Sequence, residues 1–356
     1  MKEWEDSFCS FNSWKGLMYV EQYRAIIEWM AGKRDKPLPP IEASIDPVNA
    51  CNLRCFFCNN QQTRARNVSM TTTHLVELVE YCTAWGVKGI CIAGGGEPTL
   101  HQGLDRMFYA AHELGMPISL MTNGTFIHGN GIIKAAAKFS RWIGVSVDSA
   151  KRETYLKLKA ADMFNLVIGN MKQLVDEGAR EVMYKVLLHP LNQYEIFDCI
   201  QLAKQIGCHG IHIRPLSFRS YQEKEEAYDI DAIDGQVMRG RAMCESERFK
   251  VFYIRHKFDN QMHRKFGFEK CLATPIMPIF NGNGEMSICV DRKNDESMVF
   301  GRHDPVDAIE KCWGSKRHKE VIENVKIQEC PKCTFNKYNE QIEQAVIKNK
   351  FDYEFC

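Results

Sequence analysis

From about residue 41 to residue 216, short apolar runs alternate with longer amphipathic ones. IEASIDP, VKGICIA, PISLMT, WIGVSVD, EVMYKVLLH and GIHIRP are rich in β-branched side chains, which predicts six strands. Between them, TTTHLVELVEYCTAWG, LDRMFYAAHELG, IIKAAAKF, a stretch reaching about Glu177, and EIFDCIQLAKQIG carry apolar residues at helical spacing. The first of these helices opens on capping threonines and closes at Gly86. Strand and helix in alternation imply a parallel sheet joined by right-handed crossovers. Such apolar strands suit burial on both faces. Six units are fewer than the eight of a closed barrel, so an open partial barrel and a doubly wound sheet both remain.

The flanks differ from this body. Residues 1–40 read as a helical lead-in, with Tyr19, Tyr23, Ile26, Ile27 and Met30 at helical spacing before KPLPP breaks the pattern. Residues 217–266 are charged and irregular, as a solvated connection or a substrate lid would be. Residues 267–356 change texture again. PIMPIFNGNGEMSICV reads as two short strands about the turn Asn281-Gly282-Asn283-Gly284, and DPVDAIEKCW and SKRHKEVIENV read as helices.

Composition narrows the function classes. Basic residues number 46 and acidic ones 45, so no net field draws the chain to nucleic acid or to anionic lipid. No apolar run approaches the length of a bilayer span, and MKEWEDSFCSFNSWKG lacks the basic start and apolar run of a secretory signal. The expected setting is the cytoplasm. Fifteen cysteines are then an anomaly, because a reducing compartment turns clustered thiols toward metal binding or catalysis rather than disulfides. Cys82, Cys91, Cys199 and Cys208 sit within strand or helix patterns and read as packed core thiols.

Cys51-Asn-Leu-Arg-Cys55-Phe-Phe-Cys58 follows the first predicted strand directly. Three thiolates on one loop can hold three irons of a cubane, leaving the fourth open to an outside ligand. Zinc would need a fourth ligand, and the next candidate, His74, falls inside a predicted helix. This segment resembles the cysteine motif of the radical S-adenosylmethionine (SAM) superfamily. The resemblance implies a [4Fe–4S] cluster on Cys51, Cys55 and Cys58, with SAM chelating the open iron. It also implies a partial (β/α)6 barrel over residues 41–216. Phe57 matches the aromatic that commonly precedes the third cysteine. Gly94-Gly95-Gly96-Glu97-Pro98, at the end of strand two, resembles the GGE motif, whose backbone and acid contact the cofactor's amino group. Thr122-Asn123-Gly124 resembles the turn ending strand three, and Ser146 and Asp148, at the end of strand four, match polar positions that face the ribose or the methionine carboxylate. Asp148 would serve equally as the cap of the next helix. Arg214, ending strand six, is placed to face the cofactor as well. His189 and His212 end strands too, and read as satisfied core or loop histidines.

Cys271, Cys289, Cys330 and Cys333 form a second set, resembling the C-terminal twitch or SPASM extensions of the same superfamily. Four thiolates would close an auxiliary [4Fe–4S] cluster, and the lack of cysteines between Thr334 and Phe355 favours the smaller twitch type. A structural zinc on the same four cysteines is the alternative, and Cys312 or Cys356 could replace one ligand. The expected activity is reductive cleavage of SAM to a 5'-deoxyadenosyl radical. That radical would abstract hydrogen from a small polar metabolite such as a sugar, aminocyclitol or nucleotide derivative, with the auxiliary cluster taking the second electron. A flavodoxin or ferredoxin would supply the first. Two rivals stand beside this reading: a radical enzyme modifying a peptide or protein, and a non-catalytic zinc-binding interaction protein.

Overall fold

A computed structural model describes residues 13–58, 60, 68–216, 228–255, 266–293, 295–330 and 333–348. The six expected strands form: β1 (Glu42–Ile45), β2 (Gly89–Ile92), β3 (Ile118–Thr122), β4 (Ser140–Ser146), β5 (Val182–Leu188) and β6 (Gly210–Pro215). They lie side by side in sequence order, each parallel to the next. The crossovers are α-helices: α2 (Thr72–Trp85), α3 (Leu104–Glu113), α4 (Asn130–Phe139), the pair α5 (Arg152–Lys159) and α6 (Phe164–Asp176), and α7 (Ile196–Ile206); α1 (Val20–Met30) precedes them. The Thr71 hydroxyl caps α2 by accepting from the His74 amide, and Gly86 closes it in the left-handed region at φ 97°.

The strands are not buried alike on both faces. The register sets Ala43, Ile90 and Ile118 on one face with Ile45, Ile92, Leu120, Ile143 and Val182. These side chains meet the helices. The opposite face carries Ser44, Cys91 and Ser119, then Met121 and Gly144, then Ser146, Lys185 and His212. That face is the lumen of an open barrel, and it is polar. Cys91, expected as a packed thiol, lies there beside Ser119, whereas Cys82, Cys199 and Cys208 are buried in the core.

Two departures concern the flanks. Inside the segment expected to be irregular, α8 (Ile230–Cys244) and β7 (Lys250–Tyr253) form, and β7 adds a seventh parallel strand beside β6. The parts of that segment at 217–227 and 256–265, with Cys9 and Cys356, lie outside the described residues. The C-terminal hairpin, β8 (Ile279–Phe280) and β9 (Glu285–Ser287), joins the other edge: β8 runs parallel to β1, and β10 (Val299–Arg302) pairs with β9. All ten strands therefore belong to one sheet. The helices α9 (Ala308–Cys312), α10 (Lys316–Glu323) and α11 (Asn336–Gln341) follow. Among the described residues no helix is long and apolar enough to cross a membrane.

Buried histidines hold the C-terminal segment to the barrel. His74 of α2 and His303 share a 2.8 Å hydrogen bond, and His303 Nε2 meets the Asn281 carbonyl at 2.9 Å. His318 packs among Trp29, Phe300 and Trp313. Burial pushes His303 down to about 4 and His318 down to about 3. In the unfolded chain both titrate near 6.5. Above that pH neither state gains a proton, so their folding contribution is intact. Between pH 6.5 and 4 the unfolded chain binds protons that the folded chain refuses, so stability falls as pH falls. Denaturant unfolding at pH 5 should show a loss of about 2 kcal/mol per histidine relative to pH 7.5. His318→Gln should flatten that slope; an unchanged slope would refute the assignment.

Candidate radical-cluster site

β1 ends at Ile45, and the chain then turns across the open end of the lumen to place Cys51, Cys55 and Cys58 on one loop. The three thiols are close enough for Cys55 to feel the charges of Cys51 and Cys58. Burial pushes the Cys55 thiol up, and the Lys159 ammonium beside it pulls the other way. The Cys58 sulfur accepts from the Asn60 amide at 3.4 Å. Arg54 holds the loop closed by donating to the Cys51 carbonyl at 2.6 Å.

The glycine-rich turn after β2 supports this loop from below. The Gly96 and Glu97 amides donate to the carbonyls of Val48 and Ala50 at 3.1 and 2.8 Å. A Cβ on Gly96 would stand 2.0 Å from the Ala50 carbonyl oxygen, so only glycine allows the approach. The Glu97 carboxylate is 2% exposed and fully engaged within the protein. Oε1 accepts from the Thr99 amide and hydroxyl and from the Thr122 hydroxyl, and Oε2 accepts from the Asn123 amide at 2.7 Å. Asn123 passes the connection on, donating through Nδ2 to Asn52 Oδ1 at 2.9 Å. Glu97 and Asn123 therefore brace the cysteine loop against the ends of β2 and β3. Gly95 lies in the same turn, buried. Gly96→Ala should cost about 1–3 kcal/mol and lower iron uptake by displacing residues 49–51. Gly169→Ala, with open space around the new methyl, is the control and should not destabilise; equal losses in the two would refute this.

At the end of β4, Ser146 is half-buried and Asp148 is fully buried in the left-handed region at φ 68°. Asp148 is not a helix cap; α5 is preceded by Lys151 at that position. Its carboxylate pairs with Lys159 and accepts from the Leu187 amide at 2.8 Å. Lys159 is 2% exposed and its ammonium stands 5.4 Å from the centre of the Phe57 ring. The sequence reading missed this buried cation. It lies in KLKAADMF, where nothing distinguishes it from its solvated neighbour Lys157. Arg214, at the end of β6, is half-buried, and among the described residues its buried Nε has no hydrogen-bond partner and Asp148 and Asp291 are the charges it feels.

The second cysteine set also comes together. Cys271 feels the charge of Cys330, Cys289 feels Cys271, and Cys333 feels both Cys271 and Cys289. Burial pushes the Cys271 thiol up to about 12 and those of Cys289 and Cys333 well above the ordinary range. Donors surround them. Among the described residues the buried Asn339 Nδ2 has no oxygen or nitrogen partner; it stands by Cys271, and Arg292 stands by Cys330. Cys312 is elsewhere: its sulfur packs on Gly301 and accepts from the Arg302 amide at 3.4 Å. Among the described residues, no three His, Cys, Asp or Glu side chains converge on a single ion.

Residues 45–214 match the family model of the Radical SAM superfamily, and this part of the chain is a radical SAM domain. The chain is 27% identical over 185 residues to a "Probable GTP 3',8-cyclase" of Saccharolobus islandicus. It is 25% identical over 212 residues to the GTP 3',8-cyclase of Nautilia profundicola. Those matches cover 52% and 58% of this chain, and 59% and 64% of the relatives' lengths. Streptococcus suis SuiB bound to S-adenosylmethionine has the same fold, with a TM-score of 0.65 at 14% identity over 84% of this chain and 73% of that one. So does anSMEcpe with bound AdoMet and a peptide, with a TM-score of 0.61 at 17% identity over 85% and 88%. The α/β partial barrel is thus the common frame.

Proposed function

We propose that this chain binds a [4Fe–4S] cluster on Cys51, Cys55 and Cys58, chelates SAM at the open iron, and abstracts hydrogen from a small polar metabolite. When bound, the cluster supplies the electron that splits SAM's sulfonium bond reductively, releasing methionine and a 5'-deoxyadenosyl radical. The chain's own residues hold and shield. Arg54 and Asn60 order the cysteine loop, and Gly96, Glu97 and Asn123 brace it from the strand ends. Gly95 and Ser146 stand at the ends of β2 and β4 where SAM would be held, and Lys159 is a fixed positive charge next to Cys55. The lumen beneath excludes bulk water from a reactive intermediate. The donor sets fit the groups. The thiols of Cys55, Cys271, Cys289, Cys330 and Cys333, which burial makes reluctant to ionise, become thiolates when a metal shares the charge.

The polar lumen carries the choice of substrate. Polar side chains such as Lys185 and His212, 3% and 2% exposed, are buried on its wall. That space suits a compact polar molecule, and a nucleotide derivative is consistent with the similarity to the GTP 3',8-cyclases. We place a twitch-type auxiliary cluster on Cys271, Cys289, Cys330 and Cys333, where it would take an electron from the substrate radical, giving net oxidation. An external one-electron carrier such as flavodoxin or ferredoxin supplies the other. Peptide modification is the second reading, favoured by exposed Phe56, Leu191 and Tyr194 near the same end. Anaerobically reconstituted protein should change its electron paramagnetic resonance spectrum when SAM is added, and release 5'-deoxyadenosine above background with one small-molecule class. No spectral change would sink the radical reading; a response to peptides alone would sink the small-metabolite one.

A further inference from the structure

Arg214 is the feature that the preceding reading leaves unexplained. A guanidinium carries five donors and stays charged in any protein environment, so burial without a direct counter-ion is costly. Arg214 is half-buried at the end of β6, and partial burial depresses its pKa. Its Nε has no partner among the described residues. Among the described residues the two carboxylates within electrostatic reach are already committed. Asp148 is neutralised by Lys159 and accepts from the Leu187 amide. Asp291 accepts from the Thr334 amide at 2.6 Å and from its hydroxyl at 3.0 Å. These two carboxylates also locate it. Asp148 belongs to the radical-cluster site, and Asp291 is felt by all four cysteines of the second set. Arg214 thus shares the lumen face of β6 with His212 and lies within electrostatic reach of a carboxylate at each thiol set.

We infer that Arg214 anchors an oxyanion of the substrate, a carboxylate or a phosphate, and so is a substrate-binding residue rather than a contact to SAM. This rests on the proposed radical function and deepens it: the substrate is anionic. A planar fork of donors accepts two oxygens side by side, which fixes orientation as well as affinity. It would hold the molecule by its anionic end and leave the remainder along the polar lumen.

The test uses full-length, anaerobically reconstituted protein, calorimetry at low ionic strength, and three probes: inorganic phosphate, acetate and SAM. The wild type should bind phosphate or acetate, and the tighter of the two names the group. Arg214→Gln should weaken that binding about tenfold or more while moving SAM affinity less than about twofold. Arg214→Lys, which keeps the charge and loses the fork, should fall between, and it covers the case in which the glutamine variant does not fold. Failure of the wild type to bind either anion overturns the inference, as does unchanged anion affinity in both variants. A loss of SAM affinity matching the loss of anion affinity also overturns it, by assigning the guanidinium to the cofactor. Substrate-free release of 5'-deoxyadenosine by the wild type is read separately, so failure of the radical function is distinguishable from failure of the anchor.

Discussion

Cys55→Ala is expected to abolish SAM cleavage and to remove roughly half of the protein's iron and acid-labile sulfide, the share of one of the two four-iron clusters proposed above. Cys55 is the middle of three ligands on a single loop, and no fourth cysteine lies on that loop to replace it. Loss of an outer-shell partner costs a metal site roughly 10–100-fold, and loss of a ligand to a three-thiolate cluster should exceed that range. The second set lies on other elements, so it should keep its iron. Cys333→Ala is the converse experiment: iron falls by a similar amount, yet SAM cleavage without substrate persists. Iron assay and chromatography of 5'-deoxyadenosine decide both. A Cys55→Ala protein that still cleaves SAM at the parent rate would remove the basis for the assignment.

Lys159→Met should cost about 3–5 kcal/mol of folding stability, because it strands the Asp148 carboxylate in a buried position. The pair lies wholly inside, with side chains 3% and 0% exposed, so solvent offers almost no relief. The Leu187 amide remains as one donor to Asp148, which keeps the loss from being larger. Asp148→Asn in the Lys159→Met background removes the stranded charge and should recover part of the loss, a coupling that exposed pairs do not show. Urea unfolding of the two single variants and the double variant gives the answer. A loss below about 1 kcal/mol in Lys159→Met would mean that the ammonium is solvated after all.

Much of this architecture was legible in the chain. The six strands and the helices between them follow from periodicity, and the cysteine loop, the glycine turn and the second thiol set follow from spacing. What escaped has physical reasons. β8 is two residues long, and its partner β1 lies more than 200 positions earlier, so no local pattern announces the pairing. α8 carries Ile233, Val237, Gly240 and Cys244 on its buried face at helical spacing, but the acidic run beside it masks that signal. The lumen was misjudged because short strands were read by mean apolarity, whereas Ser44, Cys91, Ser119 and Lys185 mark every second position. Lys159 was invisible for a different reason: a lysine on a charged helix reads as solvated, and only the fold turns it inward. Glu97 and Asn123 were found as motif residues, but only the structure shows both engaged in bracing the loop.

The seam between β8 and β1 has a consequence for how the molecule can be taken apart. A boundary drawn at residue 266 looks natural along the chain, yet cutting there would strip β1 of a neighbour and bare a row of amides and carbonyls to any strand that passed. The Lys293 ammonium would leave with the severed piece, abandoning Asp46, 2% exposed, at the threshold of the cysteine loop. The fragment containing the radical SAM domain would carry a sticky margin and an unmatched charge beside its own reactive centre. The two thiol sets are thus halves of one object rather than modules on a tether.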